Sequence, residues 1–372
     1  MEKKLLMVAS NWQHIRHFHL PYLAEFRKQG YTVILACAGV PADSQCCDQA
    51  LDVPFTKSMF SPRNLTAAGM LRQVIRREKI DLVIVHTSLG AFFTRLAVMG
   101  LGKRPRMVNV VHGYLFDERT PSLKRMLLLG AEKLTAHVTD LLLTMNRWDY
   151  DLAMREHLGK RIGFIPGMGV DFTRLDAANR EMEPWMQKIP PTTFVVTFAG
   201  EFSARKNQKD LVEAVARLPE QVFLVLAGDG QMKDACRQLA EEKGVAERVL
   251  FPGYVRNIAA LYARSQVIAS SSRIEGLPFN ILEAMYMKKP VVATRVKGHT
   301  DLIEEGVTGY LYDTPEECAS ALGRMLADPE RCREMGEEAG KRVRKYGLTQ
   351  VMPGVMEAYM SVLDRQKDGY DG

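Results

Sequence analysis

The sequence predicts an α/β protein with two doubly wound parallel sheets that face a cleft. The 372 residues suffice for two domains with cores of ordinary size. Apolar runs of strand length alternate with stretches of helical period, which is the pattern of parallel sheets covered by helices. This series pauses once, at the polar, proline-bearing segment 181–191, and then starts again. Two similar halves joined by a hinge predict a cleft, which is a common place for a ligand.

The first half contains a series of short apolar runs that end in polar or small residues. A helical face of Leu20, Leu23 and Phe26 follows the first run and stops at Gly30. We predict buried strands at Lys3–Ala9, Tyr31–Ala38, Asp81–His86, Arg106–His112, Asp140–Met145 and Arg161–Ile165.

The second half repeats this pattern at regular spacing. Residues 348 to about 363 then have the period of a helix with one apolar side. The strands that we predict here are Phe194–Ala199, Val222–Ala227, Val249–Phe251, Val267–Ala269, Pro290–Thr294 and Gly309–Tyr312.

Composition and charge limit the kinds of binding partner and the cellular compartment that we expect. Residues 1–167 carry 23 Lys and Arg against 14 Asp and Glu, whereas the rest carries 27 against 30. A basic first half predicts an anionic acceptor or surface, and without an aromatic-rich basic motif we expect no nucleic acid partner. The six cysteines lack C-x-x-C spacing, and no apolar run approaches the roughly 20 residues of a membrane span. We therefore expect a cytoplasmic protein with reduced thiols.

The most informative segment runs from Val267 to Thr294. A buried strand ends in three serines, a loop follows over 273–278, and helical spacing starts at Pro278, which suits the first helical position. Ligands of parallel sheets bind at this edge, where a helix N-terminus attracts phosphate. Gly276 lets the backbone approach a ligand closely, and the residues predicted to offer N–H groups to a diphosphate are Leu277, Phe279 and Asn280.

Two glutamates flank this helix start, Glu275 in the loop and Glu283 in the second turn. A carboxylate at such a place can accept hydrogen bonds from a ribose diol. Alternatively, Glu275 pairs with Arg273 and Glu283 lies on a solvated helix face, although the residue four positions after Glu283 is Met287 and not a cation.

The segment Glu275–Glu283 has seven residues between its glutamates and resembles the E-x7-E signature of the retaining family 4 glycosyltransferases. The surrounding sequences SSSRIEGLPFNILEAM, KKPVVAT and GVTGYLY resemble the family nearly throughout, and IPGMGVD (165–171) is similar to the segment that joins its two domains. The resemblance implies the GT-B fold of two Rossmann-like domains. We expect an acceptor-side domain over 1–167, a nucleotide-sugar domain over 168–347 and a segment 348–372 that returns to the first.

The resemblance also implies an activity and a set of roles. It implies transfer, with retention, of a hexosyl or N-acetylhexosaminyl group from a UDP-sugar to a saccharide or polyprenyl-linked acceptor of surface polysaccharide assembly. Glu283 would hold the ribose, and Glu275 and His112 the sugar. The family's Arg position is occupied by Glu201, so Arg205 and Lys206 are the cations that we assign to the diphosphate, together with the backbone of Gly276, Leu277, Pro278, Phe279 and Asn280.

Weaker similarities extend the site. Tyr254, Val255 and Arg256 resemble the segment near the nucleobase. Asn11, His14 and His17 lie in the first strand-to-helix loop, where relatives have glycines, and they would contact the acceptor or, equally, form a polar helix start.

Sequence absences point away from other chemistry. The chain has no G-x-G-x-x-G, G-K-[ST] or G-x-S-x-G, and no His/Cys cluster with metal-ligand spacing. We therefore expect no cofactor, no metal and a metal-independent transfer. Three alternatives stay open: a UDP-sugar 2-epimerase, a glycosidase that uses Glu275 and Glu283 as its carboxylate pair, and a non-catalytic sugar-nucleotide-binding protein.

Two basic stretches suggest a peripheral contact with anionic lipid at the inner face of the membrane. One is Lys103–Arg106, and the other is the segment 119–130, which could form a basic amphipathic helix. Each stretch alone also fits a core helix or a loop with solvated charges.

Overall fold

The computed structural model describes residues 3–41, 43–178 and 181–364. The chain divides into two compact units, one of residues 1–169 with 349–372 and the other of residues 170–348. Each unit carries its own parallel sheet, so the predicted α/β class with two doubly wound sheets is confirmed. Residues 365–372 of the predicted segment 348–372 lie outside the described part of the chain.

The first unit is built around strands whose central members are buried on both faces, as parallel sheets require. The strands are β1 (Lys3–Asn11), β2 (Tyr31–Ala38), β3 (Gln49–Asp52), β4 (Leu82–His86), β5 (Arg106–Val111), β6 (Leu141–Thr144) and β7 (Arg161–Phe164). In the described part of this unit their order is β3-β2-β1-β4-β5-β6-β7. The chain reverses its direction of winding between β1 and β4, where ligands of such sheets bind.

Two helices of this unit begin at residues that favour a helix N-terminus. Pro62 occupies a first-turn position of its helix, and the side chain of Asn146 accepts from the Asp149 N–H to cap another. The helices are α1 (Trp12–Phe18), α2 (Leu20–Lys28), α3 (Pro62–Glu78), α4 (Ser88–Val98), α5 (Ser122–Ala136) and α6 (Arg147–Glu156).

The second unit also contains a parallel sheet, with strands β8 (Phe194–Ala199), β9 (Val222–Ala227), β10 (Val249–Gly253), β11 (Val267–Ser270), β12 (Val291–Thr294) and β13 (Gly309–Tyr312). The order of these described strands in the sheet is β10-β9-β8-β11-β12-β13. Its helices are α7 (Thr173–Asp176), α8 (Lys209–Val215), α9 (Lys233–Glu242), α10 (Ile258–Arg264), α11 (Phe279–Tyr286), α12 (His299–Leu302), α13 (Pro315–Ala327) and α14 (Pro329–Arg342); short 3-10 turns lie at Pro184–Lys188, Ala246–Arg248 and Val343–Tyr346.

The last helix, α15 (Leu348–Met360), returns from Thr349 onward to the first unit. Its buried face includes Val351, Val355 and Tyr359. The ring of Tyr359 stacks on Phe26 with 6.1 Å between centroids, and apolar burial therefore holds this helix against α2. Among the described residues, none of the helices has both the length and the apolar character of a membrane span.

Candidate active site

In the second unit, two loops meet at the carboxyl ends of the neighbouring strands β8 and β11. Residues 200–208 follow β8, and residues 271–278 follow β11. The Arg273 N–H donates to the Arg205 carbonyl at 2.8 Å, and the Ser271 hydroxyl donates to the Lys206 carbonyl at 2.9 Å. These bonds fix the backbone that carries the predicted cations against the loop that carries Glu275.

Glu275 lies at the centre of this arrangement and is buried, with 7% of its surface exposed. Lys206 Nζ contacts its Oε1 at 2.5 Å, and Arg205 Nη1 contacts its Oε2 at 3.2 Å. Burial alone would raise the pKa of this carboxyl, but the attraction of Lys206, Arg205 and His299, together with the Lys206 hydrogen bond, outweighs burial and lowers the pKa to about 2. Glu275 is therefore ionised at neutral pH, and the two cations leave the cluster with a net positive charge.

His299 is a buried member of this cluster that the sequence analysis did not identify. Its Nδ1 lies 2.8 Å from the Thr294 carbonyl oxygen, and its Nε2 has no hydrogen-bond partner in the described structure. Burial is the main reason that its pKa falls to about 4; Lys206 lowers it further, while Glu275 and the Thr294 carbonyl oppose the fall. The imidazole is therefore neutral at pH 7.

Gly298 allows the loop after β12 to lie directly against the loop that holds Glu275. Its φ is +81°, and a Cβ there would lie 2.6 Å from the Gly276 carbonyl oxygen. Only glycine accepts both this backbone conformation and this approach without strain. The loop after β12 is thereby packed directly onto the loop that holds Glu275.

The helix after Glu275 begins one residue later than predicted. α11 starts at Phe279, so Pro278 occupies the N-cap position and not the first helical position. Proline has no side-chain acceptor, so the cap residue cannot satisfy the first N–H groups of the helix. The Asn280 amide donates to the Ala199 carbonyl at 2.9 Å and ties this helix start to the end of β8. The cations and the helix N-terminus together make an anion-binding edge.

Glu283 is buried in the second turn of α11, and its partner comes from far away in sequence. Arg174 on α7 forms an ion pair with Glu283 Oε1. The side chain of Arg174 is 56% exposed, whereas that of Glu283 is 10% exposed. The missing cation at position 287 therefore does not leave Glu283 alone, and the solvated helix face that we considered is wrong for this carboxylate.

The predicted nucleobase segment follows β10 at the same edge of the sheet. Tyr254 is exposed, Val255 is buried and Arg256 is exposed. The Tyr254 N–H donates to Asp229 Oδ2 at 3.1 Å, and Lys233 Nζ contacts the other oxygen of Asp229 at 2.5 Å. The backbone N–H of Tyr254 is thus engaged by the turn after β9.

In the first unit, His112 follows β5 and meets three other histidines. His14 Nε2 lies 3.3 Å and His86 Nδ1 3.1 Å from His112 Nε2, and the ring of His19 stacks on that of His86 at 3.7 Å between centroids. Burial lowers the pKa of each of the four; that of His14 falls to about 4, with a further contribution from His17. All four imidazoles are therefore neutral at pH 7.

The other two predicted acceptor residues have structural partners. The Asn11 side chain caps α1 by accepting from the His14 N–H at 3.0 Å, and His17 Nδ1 lies 2.6 Å from the Gln13 carbonyl oxygen. This is the polar helix start that we considered as the alternative. An acceptor contact by either residue stays a prediction.

Comparison with known proteins gives the family. Residues 179–342 match the family model described as glycosyl transferases group 1, and residues 22–171 match glycosyltransferase family 4. The chain is 31% identical over 374 residues to EpsD of Bacillus subtilis (strain 168), named as a glycosyltransferase, with 98% of both chains covered. It is 26% identical over 254 residues to an Escherichia coli protein named UDP-Gal:α-D-GlcNAc-diphosphoundecaprenol α-1,3-galactosyltransferase, with 65% of each covered.

A solved structure agrees with the fold. HepE of Anabaena, crystallised in complex with UDP, superposes with a TM-score of 0.74 at 20% identity, covering 96% of this chain and 100% of that one. An identity at this level supports the fold alone. Together, the two parallel-sheet units and the matches to sequence families over both halves show that the chain is a GT-B glycosyltransferase of family 4.

Proposed function

We propose that this enzyme transfers a hexosyl or N-acetylhexosaminyl group from a UDP-sugar to a saccharide or lipid-linked saccharide acceptor, with retention at the anomeric carbon. The observation that carries the proposal is the juxtaposition of Lys206, Arg205 and Glu275 at the N-terminal end of α11. The name of the Escherichia coli relative, which gives a UDP-sugar donor and a diphosphoundecaprenol acceptor, and the UDP complex of HepE support it.

The chemistry follows from the charge that develops during transfer. When the bond between the sugar and the diphosphate breaks, negative charge grows on the leaving phosphate oxygens. Lys206, Arg205 and the N-terminus of α11 stabilise that charge in place of a metal ion. The leaving phosphate can take the proton of the acceptor hydroxyl on the face from which it departs, so no side chain has to act as a general base.

Glu283 lies one turn into the same helix and suits the ribose of the donor. Its carboxylate has two oxygens, and Arg174 pairs with Oε1. A ribose diol would donate to the carboxylate while Arg174 holds it in place. In this assignment Glu275 and His112 keep the role at the donor sugar that the family resemblance implies.

A donor panel tests the assignment. With UDP-, GDP- and ADP-sugars and a polyprenyl-diphosphate saccharide acceptor, we expect transfer from a UDP-sugar, with the α-anomeric configuration of the donor kept in the product by NMR. For Glu283→Gln we expect UDP affinity in calorimetry to fall about 10- to 100-fold, because charge-assisted hydrogen bonds contribute about 1.5–3 kcal/mol.

The exposed Glu241→Gln on α9 is the matched control and should bind UDP like the wild type. Formation of an epimer from a UDP-sugar without acceptor would instead favour the isomerase. UDP binding without transfer or hydrolysis would favour the non-catalytic alternative, and wild-type affinity in Glu283→Gln would remove the ribose assignment.

We also propose that the first unit docks on anionic lipid through the N-terminal end of α5. This helix buries polar residues, Glu132 and Thr135, and exposes apolar ones. Its patch, which we call the α5 patch, consists of Leu123, Met126 and Leu127, each more than 60% exposed, beside the exposed Lys124 and Arg125. Large apolar side chains next to basic ones are typical of helices that lie in a membrane interface.

The other predicted basic stretch is less suited to lipid. Arg104 forms two bonds to Asp140, at 2.7 and 2.6 Å, and Lys160 lies 3.2 Å from the same carboxylate. Arg104 is therefore largely neutralised, which favours the structural alternative for this residue and leaves the α5 patch as the docking surface.

Vesicle flotation tests this surface. We expect binding to vesicles that contain phosphatidylglycerol and weak binding to pure phosphatidylcholine, with a loss at high salt because each basic residue contributes about 1 kcal/mol near an anionic surface. Leu123→Ser/Met126→Ser/Leu127→Ser should abolish flotation. Met182→Ser, which removes an equally exposed methionine of the second unit, should not. Flotation that is unchanged in the triple variant would contradict the proposal.

A further inference from the structure

The four histidines of the first unit form one compact cluster, which we call the His cluster: His14, His19, His86 and His112. His14 and His19 lie in and directly after α1, which follows β1. His86 and His112 lie at the ends of β4 and β5, and β1, β4 and β5 are adjacent in the sheet. One nitrogen of each imidazole lies within 4.8 Å of the corresponding nitrogens of the other three. Strand order, not sequence spacing, brings them together at the point where the winding of the sheet reverses.

Hydrogen bonding among these rings leaves buried nitrogens without partners. His112 Nε2 can accept from both His14 Nε2 and His86 Nδ1, which are its two neighbours at 3.3 and 3.1 Å. Both nitrogens of the fully buried His19 and the Nε2 of His86 then have no partner among the described residues. Because a buried polar atom without a partner is costly, the two unpaired nitrogens of His19 indicate a ligand.

The spacing of the four rings suits a metal ion. Imidazole nitrogens bind Zn²⁺ at about 2.0–2.1 Å, so neighbouring ligands of a tetrahedral site lie about 3.3–3.4 Å apart. The contacts of 3.1 and 3.3 Å already approach that separation.

The backbone that presents His86 is held in a costly conformation. The next residue, Thr87, has a φ of +69°, which is rare for a β-branched residue. Its hydroxyl accepts from the Ser10 N–H at 3.1 Å, so the ends of β1 and β4 are joined at this point. Strain of this kind persists where the surrounding structure fixes a functional geometry.

We propose that the His cluster binds one divalent transition-metal ion, with Zn²⁺ as the physiological candidate. Four nitrogen ligands select Zn²⁺, Co²⁺, Ni²⁺ or Cu²⁺ over Mg²⁺ and Ca²⁺, which prefer oxygen. With four protein ligands the coordination is closed, so the ion joins α1 to the ends of β4 and β5 and does not polarise a substrate. The ion is assigned to residues of the first unit, and the diphosphate to the cations of the second unit.

The proposal differs from the sequence-based expectation of no metal, which was drawn from spacing along the chain. It does not rest on the proposed transfer reaction. If His112 gives Nε2 to the ion, its Nδ1 is left for a substrate hydroxyl, so the two proposals can be tested apart.

Metal analysis of the full-length protein, purified without a polyhistidine tag, is the direct test. We expect about one Zn²⁺ per chain by mass spectrometry, before or after incubation with ZnCl₂ and desalting. Its X-ray absorption should show a nitrogen shell at about 2.0–2.1 Å. Exchange for Co²⁺ should give the visible d–d bands of a tetrahedral site.

Ligand variants locate the ion. Loss of a residue that only supports a metal ligand weakens metal binding about 10- to 100-fold. His14→Gln and His112→Gln remove ligands themselves, so each should weaken metal binding by more than about 100-fold. His14 is only half-buried, so its variant is expected to fold even if variants of His19 or His86 do not. The exposed His137→Gln and His157→Asn are matched controls that should keep the ion.

Two results would overturn the proposal. One is a wild-type protein that takes up no Zn²⁺ or Co²⁺ above the level of a histidine-free control protein at micromolar metal. The other is metal that stays bound in the folded double variant His14→Gln/His112→Gln, which would place the ion elsewhere, for example on cysteines.

Discussion

Replacing Lys206 by Met is expected to lower kcat for sugar transfer about 10²- to 10³-fold, the range seen when one fixed group that stabilises transition-state charge is removed. Met replaces the apolar stem of Lys by one of similar length and removes the ammonium group. Because Lys206 acts on charge that develops as the diphosphate leaves, the effect should fall on kcat more than on the affinity for UDP-sugar. Initial rates over a range of donor concentrations separate the two.

The effect of Lys206→Met on the stability of the fold has to be measured separately from its effect on the transfer rate. Lys206 contacts the buried carboxylate of Glu275 at 2.5 Å, and removing one member of a buried ion pair destabilises by about 3–5 kcal/mol. In Lys206→Met the buried carboxylate of Glu275 keeps only Arg205 as a charged partner. Adding Glu275→Gln removes that buried charge, so Lys206→Met/Glu275→Gln should regain much of the lost stability while transfer stays low. The exposed Lys243→Met of the same unit is the matched control. Transfer at the wild-type rate in a folded Lys206→Met would exclude the assigned role.

The fold could be predicted because its buried strands are continuous apolar runs. β2, β8, β9 and β13 begin and end where the sequence places them. Sequence analysis missed β3, Gln49–Asp52, which is partly exposed and which, among the described strands, pairs with β2 alone. An edge strand needs little apolar character, because only one side of it is covered. Its position depends on pairing with β2, which a local pattern does not contain.

Some residues of the candidate site could likewise be predicted from the sequence, and others could not. Glu275 and Lys206 could be found because each lies in a recognisable local sequence, and the structure brings them together. Arg174 and His299 carry no such signal, because their contacts with Glu283 and Glu275 arise from packing between distant segments. The His cluster shows the limit most clearly: positions 14, 19, 86 and 112 follow no metal-binding spacing, and only the order of β1, β4 and β5 makes them neighbours.

The stability of the second unit is expected to depend on acid through Glu275. Its pKa is lowered from 4.5 to about 2 in the folded protein, so the folded state binds its proton later than the unfolded state. The resulting stabilisation is fully present above about pH 4.5 and is lost as the pH falls toward 2. A shift of this size corresponds to about 3 kcal/mol, of which about 2 kcal/mol should be gone by pH 3.

The titration of His299 would obscure that of Glu275, because the pKa of His299 is about 4 and lies in the same pH range. The test is therefore made in variants that lack His299. Burial disfavours the charged imidazole, so the unfolded state binds that proton first and the folded state loses stability below about pH 6.5. We therefore compare His299→Gln with His299→Gln/Glu275→Gln, using hydrogen exchange of β8 and β11 to read the opening free energy of the second unit. The difference between these variants should shrink by about 2 kcal/mol between pH 6 and pH 3. The exposed Glu241→Gln in the same background should show no such change. If the difference in opening free energy between the variants with and without Glu275 stays constant with pH, Lys206 and Arg205 do not hold that carboxyl ionised.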